Sequence, residues 1–595
     1  MSLPGLELTQ TPTGGRSAPA PPVQHSLPRG SEWRFEVAFG RTVRVKLLAG
    51  TAELFGTELA ASQTYTFSGT KAAIYTWHGC TLEVSAGDPI AIGGLGSAPP
   101  PPGTGSGGCQ VEYVAEETPM AEYVNIHGAL ETMREEAKAS GREGPRVLIL
   151  GPEDAGKTSL TKILTGYATK RERQPVVVNL DPSEGMLSVP GSLTATAFRS
   201  MVDVEEGWGS SPMSGPSPIP VKLPLVYFYG LPSPLDAEGQ VYKPIVSRLA
   251  LAVAGRLAED RDAGEAGIVI DTPGVLSQGG KGEDVIHHIV TEFSITTILV
   301  LGSERLYSSM VKHYDNKPIS TSTSTTSAAA GTATPSTLDR ISVVKVTKSG
   351  GSVDRDASFM KCVRDSQIRS YFFGNPIPST ASSALSLSAT SSGTTITLSP
   401  HAQQLDFDAL SIYTITATLE DDDDYDPSTF GMNDSFLPGG INDRDDDENL
   451  QTQQQQQQQQ QQHQYQEITD HTTTTSPFLS SPTTATTATT TTTTSTTATS
   501  PFTHPSSIPL KKLPPSTTSP VPLALENTLL AVTHAAPNAP LHEIRDASVM
   551  GFVYVAGVDE KKAKIRVLAP VGGRVPSRAM IWGKRWPGEL VGLVG

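Results

Sequence analysis

Residues Gly151-Pro-Glu-Asp-Ala-Gly-Lys-Thr158 follow the pattern G-x-x-x-x-G-K-[ST]. The pattern sits where phosphate chemistry needs it, after the apolar run Val147–Leu150 and before a segment with Leu160, Ile163, Leu164 and Tyr167 on one helical face. Its glycines let backbone N–H groups wrap a phosphate chain, and the following helix adds the positive end of its dipole. Asp154, Ala155, Gly156, Lys157, Thr158 and Ser159 are therefore the expected nucleotide-binding residues. Lys157 is placed to reach the β- and γ-phosphates and the Thr158 hydroxyl to ligate Mg²⁺. Two carboxylates end candidate strands, where ligands gather in α/β sheets: Asp181 after Val176–Leu180 and Asp271 after Gly267–Ile270. Asp181 is the expected second Mg²⁺ ligand, and either acid could instead cap a turn. Asp271-Thr-Pro-Gly274 also fits the DxxG pattern of GTPases, but the stretch nearest to a guanine-reading NKxD is Asn316-Lys-Pro-Ile319, whose fourth residue is apolar.

The elements that must position these groups can be read from the same chain. Continuous apolar runs at Val147–Leu150, Val176–Leu180, Gly267–Ile270, Thr297–Leu301 and Ile341–Val346 alternate with amphipathic segments at Leu160–Thr169, Val241–Ala258 and Glu283–Phe293. Strands buried on both faces and separated by helices predict a parallel α/β sheet. A helix is expected just before it, with Ile126, Leu130 and Met133 on one face and a stop at Ser140-Gly141. Upstream, Trp33–Val37, Thr42–Leu47, Ala52–Phe55, Thr64–Phe67 and Ala73–Tyr75 are short β-rich runs separated by glycine and polar turns, the pattern of an all-β sandwich or barrel. Downstream, Gly551–Val555 and Lys564–Leu568 predict strands of a small C-terminal domain, split so that His401–Ala417 precede an insertion and 523–592 follow it.

The expected map is a multidomain chain. Residues 1–30 are without order, 31–120 form an N-terminal all-β sandwich, and 121–375 a central α/β P-loop NTPase domain with a low-complexity insertion at 318–338. Residues 376–595 form the C-terminal α/β domain, with a disordered insertion at 420–522. That insertion runs acidic, then through ten glutamines at Gln453–Gln462, then Thr and Pro, a composition that cannot bury enough apolar area to order itself. Of the net charge of −16, twelve acids against the lone Arg444 between Glu420 and Glu448 supply −11, so overall acidity says little about partners. Three distant cysteines, Cys80, Cys109 and Cys362, lack metal-ligand spacing and fit a reducing compartment. No run approaches the ~18 apolar residues of a membrane helix, and Met1–Gly30 lacks the apolar core of a secretory signal; a soluble intracellular protein with no membrane contact is expected. Lys561, Lys562, Lys564, Arg566, Arg574, Arg578, Lys584 and Arg585 form a basic group that could meet RNA phosphates or simply face solvent. Trp208, between two glycines, could stack a base or be buried under a lid.

Several stretches in order carry a family resemblance: Ala52-Glu-Leu-Phe-Gly-Thr-Glu-Leu-Ala60, Tyr65-Thr-Phe67, Gly144-Pro-Arg-Val147 running into the loop, Asn179-Leu-Asp-Pro182, Pro224-Leu-Val-Tyr227, Ser303-Glu-Arg-Leu-Tyr307, Arg566-Val-Leu-Ala-Pro570 and Pro576-Ser-Arg-Ala-Met580. The chain resembles, in a fungal form, the Clp family of ATP-binding, polynucleotide-kinase-like subunits of the pre-mRNA cleavage and polyadenylation factor. The resemblance covers nearly all of the sequence outside the insertions. It implies an ATP·Mg²⁺ site shared with the N-terminal domain through Glu32 and Lys71, which the residues alone would leave solvated at strand ends. It also implies a nuclear role in pre-mRNA cleavage, with a scaffold subunit of the Pcf type that binds the polymerase tail, other subunits of the factor, and possible contact with pre-mRNA.

Kinase-active relatives phosphorylate RNA 5′-hydroxyls. The resemblance then assigns Lys157, Thr158, Asp181 as base and Arg305 as a lid arginine, the last two as catalytic groups only if the chain is active. Active members follow the Asp with Val-Gly-Gln, where this chain has Pro182-Ser183-Glu184, and in place of a second lid arginine it offers Lys312. An ATP-holding assembly subunit is the leading expectation, with an active RNA 5′-hydroxyl kinase and, more distantly, a GTPase-like switch as alternatives.

Overall fold

The computed structural model describes residues 21–87, 108–205, 207–208, 223–319, 340–374, 399–416, 508–590 and 593. The N-terminal strands are β1 (Val23–Leu27), β2 (Glu32–Val37), β3 (Val43–Gly50), β4 (Glu53–Leu54), β5 (Thr57–Glu58), β6 (Thr64–Phe67), β7 (Thr70–Tyr75), β8 (Cys80–Ala86) and β9 (Val111–Ala115). They form two sheets, β1-β8-β3-β6 and β5-β4-β7-β2-β9. Period-two alternation turns Trp33, Phe35, Val37, Val43, Val45 and Leu82 inward, and these fill the sandwich core. Order begins earlier than the sequence predicts: Val23–Leu27, expected to be unstructured, pairs antiparallel with Cys80–Val84. Its three polar residues, two of them exposed, conceal the strand, and only Leu27 is fully buried.

Next come α1 (Met120–Ser140), β10 (Arg146–Leu150), α2 (Lys157–Lys170), β11 (Val176–Asn179), β12 (Ser192–Ala197), β13 (Leu225–Phe228), α3 (Tyr242–Glu259), α4 (Arg261–Ala266), β14 (Ile268–Asp271), α5 (Lys281–Glu292), β15 (Thr297–Leu301), α6 (Glu304–Tyr314), β16 (Ser342–Val346) and α7 (Ala357–Phe373). The sheet order is β13-β12-β11-β14-β10-β15-β16. The five expected strands run parallel, while β12 and β13 add an antiparallel edge. Val147 and Ile149 face α1 and α2 on one side, and Leu148 and Leu150 join α3, α5 and α6 on the other. Gly141, in the left-handed conformation at φ 67°, ends α1 where Ser140-Gly141 predicts a stop. Of the 318–338 insertion only Pro318 and Ile319 are described, and Pro318 pairs with Arg340.

The C-terminal α/β domain has β17 (His401–Asp406), β18 (Ser411–Ile415), β19 (Leu510–Lys512), β20 (Leu529–Thr533), α8 (Leu541–Arg545), β21 (Val549–Asp559), β22 (Lys564–Ala569) and β23 (Ala579–Trp582). One sheet runs β17-β22-β21-β20-β23-β18-β19. Disorder was expected through 522, yet Leu510–Lys512 pairs with Tyr413–Ile415 and Ser516 donates to Asp408. A strand with one buried leucine and two exposed lysines, followed by prolines, offers no periodic signal. Residues 1–20 and 417–507, including the acidic and glutamine tracts, lie outside the described residues.

Candidate nucleotide site

The loop between β10 and α2 has the shape its sequence implies. Gly156 caps α2 at φ 92°, a conformation that favours glycine, with Ser352 Oγ 2.9 Å from where a Cβ would sit. Asp154 also turns left-handed, at φ 52°. Lys157 is 7 % exposed, and its Nζ donates to Pro152 O at 2.7 Å, so the cation folds over the loop's own carbonyl.

Thr158 Oγ1 donates to Asp271 Oδ2 at 2.6 Å. Asp271 ends β14 beside β10 and is buried. Burial pushes its carboxyl up to about 7, with the Thr158 hydrogen bond and Lys157 opposing and Asp181 and Glu184 reinforcing the rise. Asp181, just past β11, is raised to about 6 by burial and by Glu184. Its Oδ1 accepts from Ser183 N at 2.9 Å and Ser183 Oγ at 2.6 Å, the side-chain turn anticipated as its plainer role. The acid bonded to Thr158 is Asp271, because β14 and not β11 adjoins the loop strand.

These donors suit a magnesium nucleotide. Burial raises both carboxyls, so a cation beside them would favour their charged forms, and among the described residues no group of three or more His, Cys, Asp or Glu could hold a metal alone. Mg²⁺ is commonly held by one or two protein oxygens together with phosphate oxygens.

Other expected residues fall at the margins. Glu32 is buried rather than solvated; desolvation raises its pKa and Arg34, beside it on β2, opposes the rise. Lys71 on β7 pairs with Glu36 at 3.2 Å and lies 5.0 Å from the Phe359 ring centroid, so it meets the start of α7. Arg305 is exposed in the first turn of α6, and Lys312 is exposed in its last. Trp208 is buried with Val177 and Phe198, with Lys162 over its ring, and presents no face to a base. Asn316 lies where α6 turns back into β16, at the opposite end of the sheet from the phosphate loop, so the guanine-reading alternative loses its residue. Among the basic C-terminal residues, Lys562 pairs with Asp559, Lys564 with Asp406, and Arg566 binds Ala556 O.

Sequence reasoning missed the groups that tie the site together. Arg355 joins Asp154 to Glu184, and Gln367 Oε1 accepts from Gly185 N at 3.0 Å. Trp586 Nε1 donates to Pro182 O at 2.9 Å. For Arg355 the sequence signal is its position in the Thr347–Asp356 segment after the last parallel strand; Gln367 and Trp586 carry none.

Three family models match the chain. The N-terminal beta-sandwich domain of polyadenylation factor matches residues 26–137, the mRNA cleavage and polyadenylation factor CLP1 P-loop 151–337, and Pre-mRNA cleavage complex II protein Clp1 481–588. A curated relative from Coccidioides immitis, mRNA cleavage and polyadenylation factor CLP1, is 69 % identical, with all of both chains covered. One of the same name from Neosartorya fischeri is 64 % identical, again over the whole of both. Among solved structures, the wild-type Clp1p-Pcf11p (454–563) complex matches with a TM-score of 0.63 and 24 % identity, over 94 % of this chain and 97 % of that one. A second, describing an extended interface between Pcf11p and Clp1p and ATP loss in a Gly135Arg mutant, matches equally well over 98 % of its chain. At this identity both speak to the fold.

Proposed function

Because the chain belongs to the CLP1 family of mRNA cleavage and polyadenylation factors, we propose that it serves that factor in the nucleus as an ATP·Mg²⁺-holding subunit seated on a Pcf-type scaffold subunit. The observation that carries this is the complete phosphate loop, with Thr158 already bonded to a buried acid and Lys157 folded over the loop. Lys157 and the loop N–H groups would hold the phosphates, while Thr158 and Asp271 orient the cation. Glu32 and Lys71 lie on neighbouring strands of the sandwich and are the proposed contacts from that domain.

Turnover has less support. Ser183 takes up one oxygen of Asp181, the group a kinase would use as base, and Arg305 is turned to solvent. An arginine aimed at the transferring phosphoryl can be worth on the order of 10³–10⁵ in rate. Purified protein should therefore release stoichiometric ATP on denaturation, and Lys157→Ala should release none. Labelling of 5′-hydroxyl RNA by the wild type should be weak or undetectable. Efficient labelling abolished by Asp181→Ala would make the kinase the better reading, and nucleotide-free wild type would sink the ATP-holding one.

A further inference from the structure

The segment joining β16 to α7, Thr347–Asp356, runs from α1 past the phosphate loop to the loop after β11. Tyr123 of α1 donates its hydroxyl to Thr347 O at 2.9 Å, and Glu122 accepts from Thr347 N at 3.1 Å. Midway, Ser352 Oγ is 3.5 Å from Ala155 O, beside Gly156. Arg355 then closes the segment onto the loop. Its backbone N–H donates to Asp154 Oδ2 at 2.9 Å and its Nε to Asp154 Oδ1 at 2.6 Å, while an outer guanidinium nitrogen lies 2.7 Å from Glu184 Oε1.

Both partners need what Arg355 supplies. Asp154 holds a left-handed conformation that side-chain-bearing residues adopt only at a cost, so a charge-assisted contact to both its oxygens offsets local strain in the loop. Glu184 adds a third negative charge beside Asp181 and Asp271 and raises both. Paired with a guanidinium, it repels them less. Burial alone would lower the Arg355 pKa, but Glu184 and Asp154 more than reverse this and keep it charged.

We infer that Arg355 is the positioning residue of the nucleotide site. By holding Asp154 and Glu184 together it fixes the phosphate loop in its accepting shape and holds the Asp181 loop against it, without touching the nucleotide. The inference rests on the ATP reading above.

The test uses the full-length chain stripped of nucleotide, with ATP·Mg²⁺ titrated calorimetrically into wild type, Lys157→Ala, Arg355→Met, Arg355→Lys, Asp154→Asn and the Asp154→Asn/Arg355→Met double variant. Each titration is run well below that variant's own melting temperature. Arg355→Met should weaken ATP roughly 10–100-fold, the usual effect of removing an outer-shell partner. Arg355→Lys should recover part of this, since an ammonium reaches one carboxylate where the fork reaches two. The double variant should bind no worse than the weaker single, because both break the same contact. ATP binding by Arg355→Met within about twofold of wild type, or fully additive losses, would overturn the assignment, since a residue that only supports the fold has no reason to couple to Asp154 in ATP affinity. Should Arg355→Met fail to fold, Arg355→Lys decides by the same comparison with Asp154→Asn. Wild type that takes up no ATP, or Lys157→Ala that binds as wild type does, defeats the ATP reading itself and the Arg355 role with it.

Discussion

Asp271 and Asp181 give the site a pH dependence whose sign is fixed. Both carboxyls are raised, to about 7 and about 6, above an ordinary unfolded value of about 3.9. Between pH 4 and 7 the native, nucleotide-free protein keeps protons that the unfolded chain has released. These groups therefore cost stability increasingly as pH rises through that window, and the cost is complete above about 7. The melting temperature of nucleotide-free protein should fall from pH 5 to 7.5, and Asp271→Asn should flatten the fall. If the proposed cation sits beside Asp271 it favours the charged form, so loading with ATP·Mg²⁺ should release a proton. Calorimetry at pH 6.5 in buffers of different ionisation enthalpy should detect it in wild type and see it diminished in Asp271→Asn.

At the scale of elements, α2 is shared property. Its first turn carries Lys157 and Thr158, while its outer side receives the β4–β5 turn of the sandwich. Gly56, at φ 81°, lies so close that a Cβ would stand 2.8 Å from Ile163 O. Glu53 of β4 accepts from the Tyr167 hydroxyl and lies 3.3 Å from Lys170 Nζ. Gly56→Ala should destabilise by ~1–3 kcal/mol in urea unfolding, because it combines left-handed strain with a backbone collision, and should weaken ATP as well. For the long insertion, deleting 420–505 leaves the β18–β19 pairing whole, and the product should fold and hold ATP. Extending the deletion to 520 removes Leu510–Lys512 and Ser516, and that product should melt lower or aggregate.

The same elements show why some of the structure was legible. Runs such as Thr297-Ile-Leu-Val-Leu301 are buried on both faces and announce themselves, and the expected span is the observed one. Ser192-Leu-Thr-Ala-Thr-Ala197 is equally buried but small and hydroxyl-rich, so β12 carried no apolar signal. The phosphate loop was readable because its chemistry is contiguous. Arg355, Glu184 and Trp586 were not, because they converge from three distant parts of the chain.

Across the whole molecule, the proposed nucleotide site draws on every domain. The central sheet supplies the loop, the sandwich seats α2, and the C-terminal domain supplies Trp586, whose indole also stacks under Arg364 at 4.7 Å. Saturating ATP should raise the global melting temperature, with a gain of ~4 kcal/mol at a thousand times Kd. Thermal melts of a Trp586→Phe variant should show a smaller gain at equal ATP. The span of that last contact sets a clock during synthesis. Pro182 and Trp586 are 404 residues apart, which at 5–20 residues per second is roughly 20–80 s of translation. Throughout that interval a nascent chain displays its phosphate loop without the indole that anchors the neighbouring loop. A messenger truncated shortly before codon 586 would then yield a protein whose lesion reads out as poor nucleotide retention, though every residue of the phosphate loop is present.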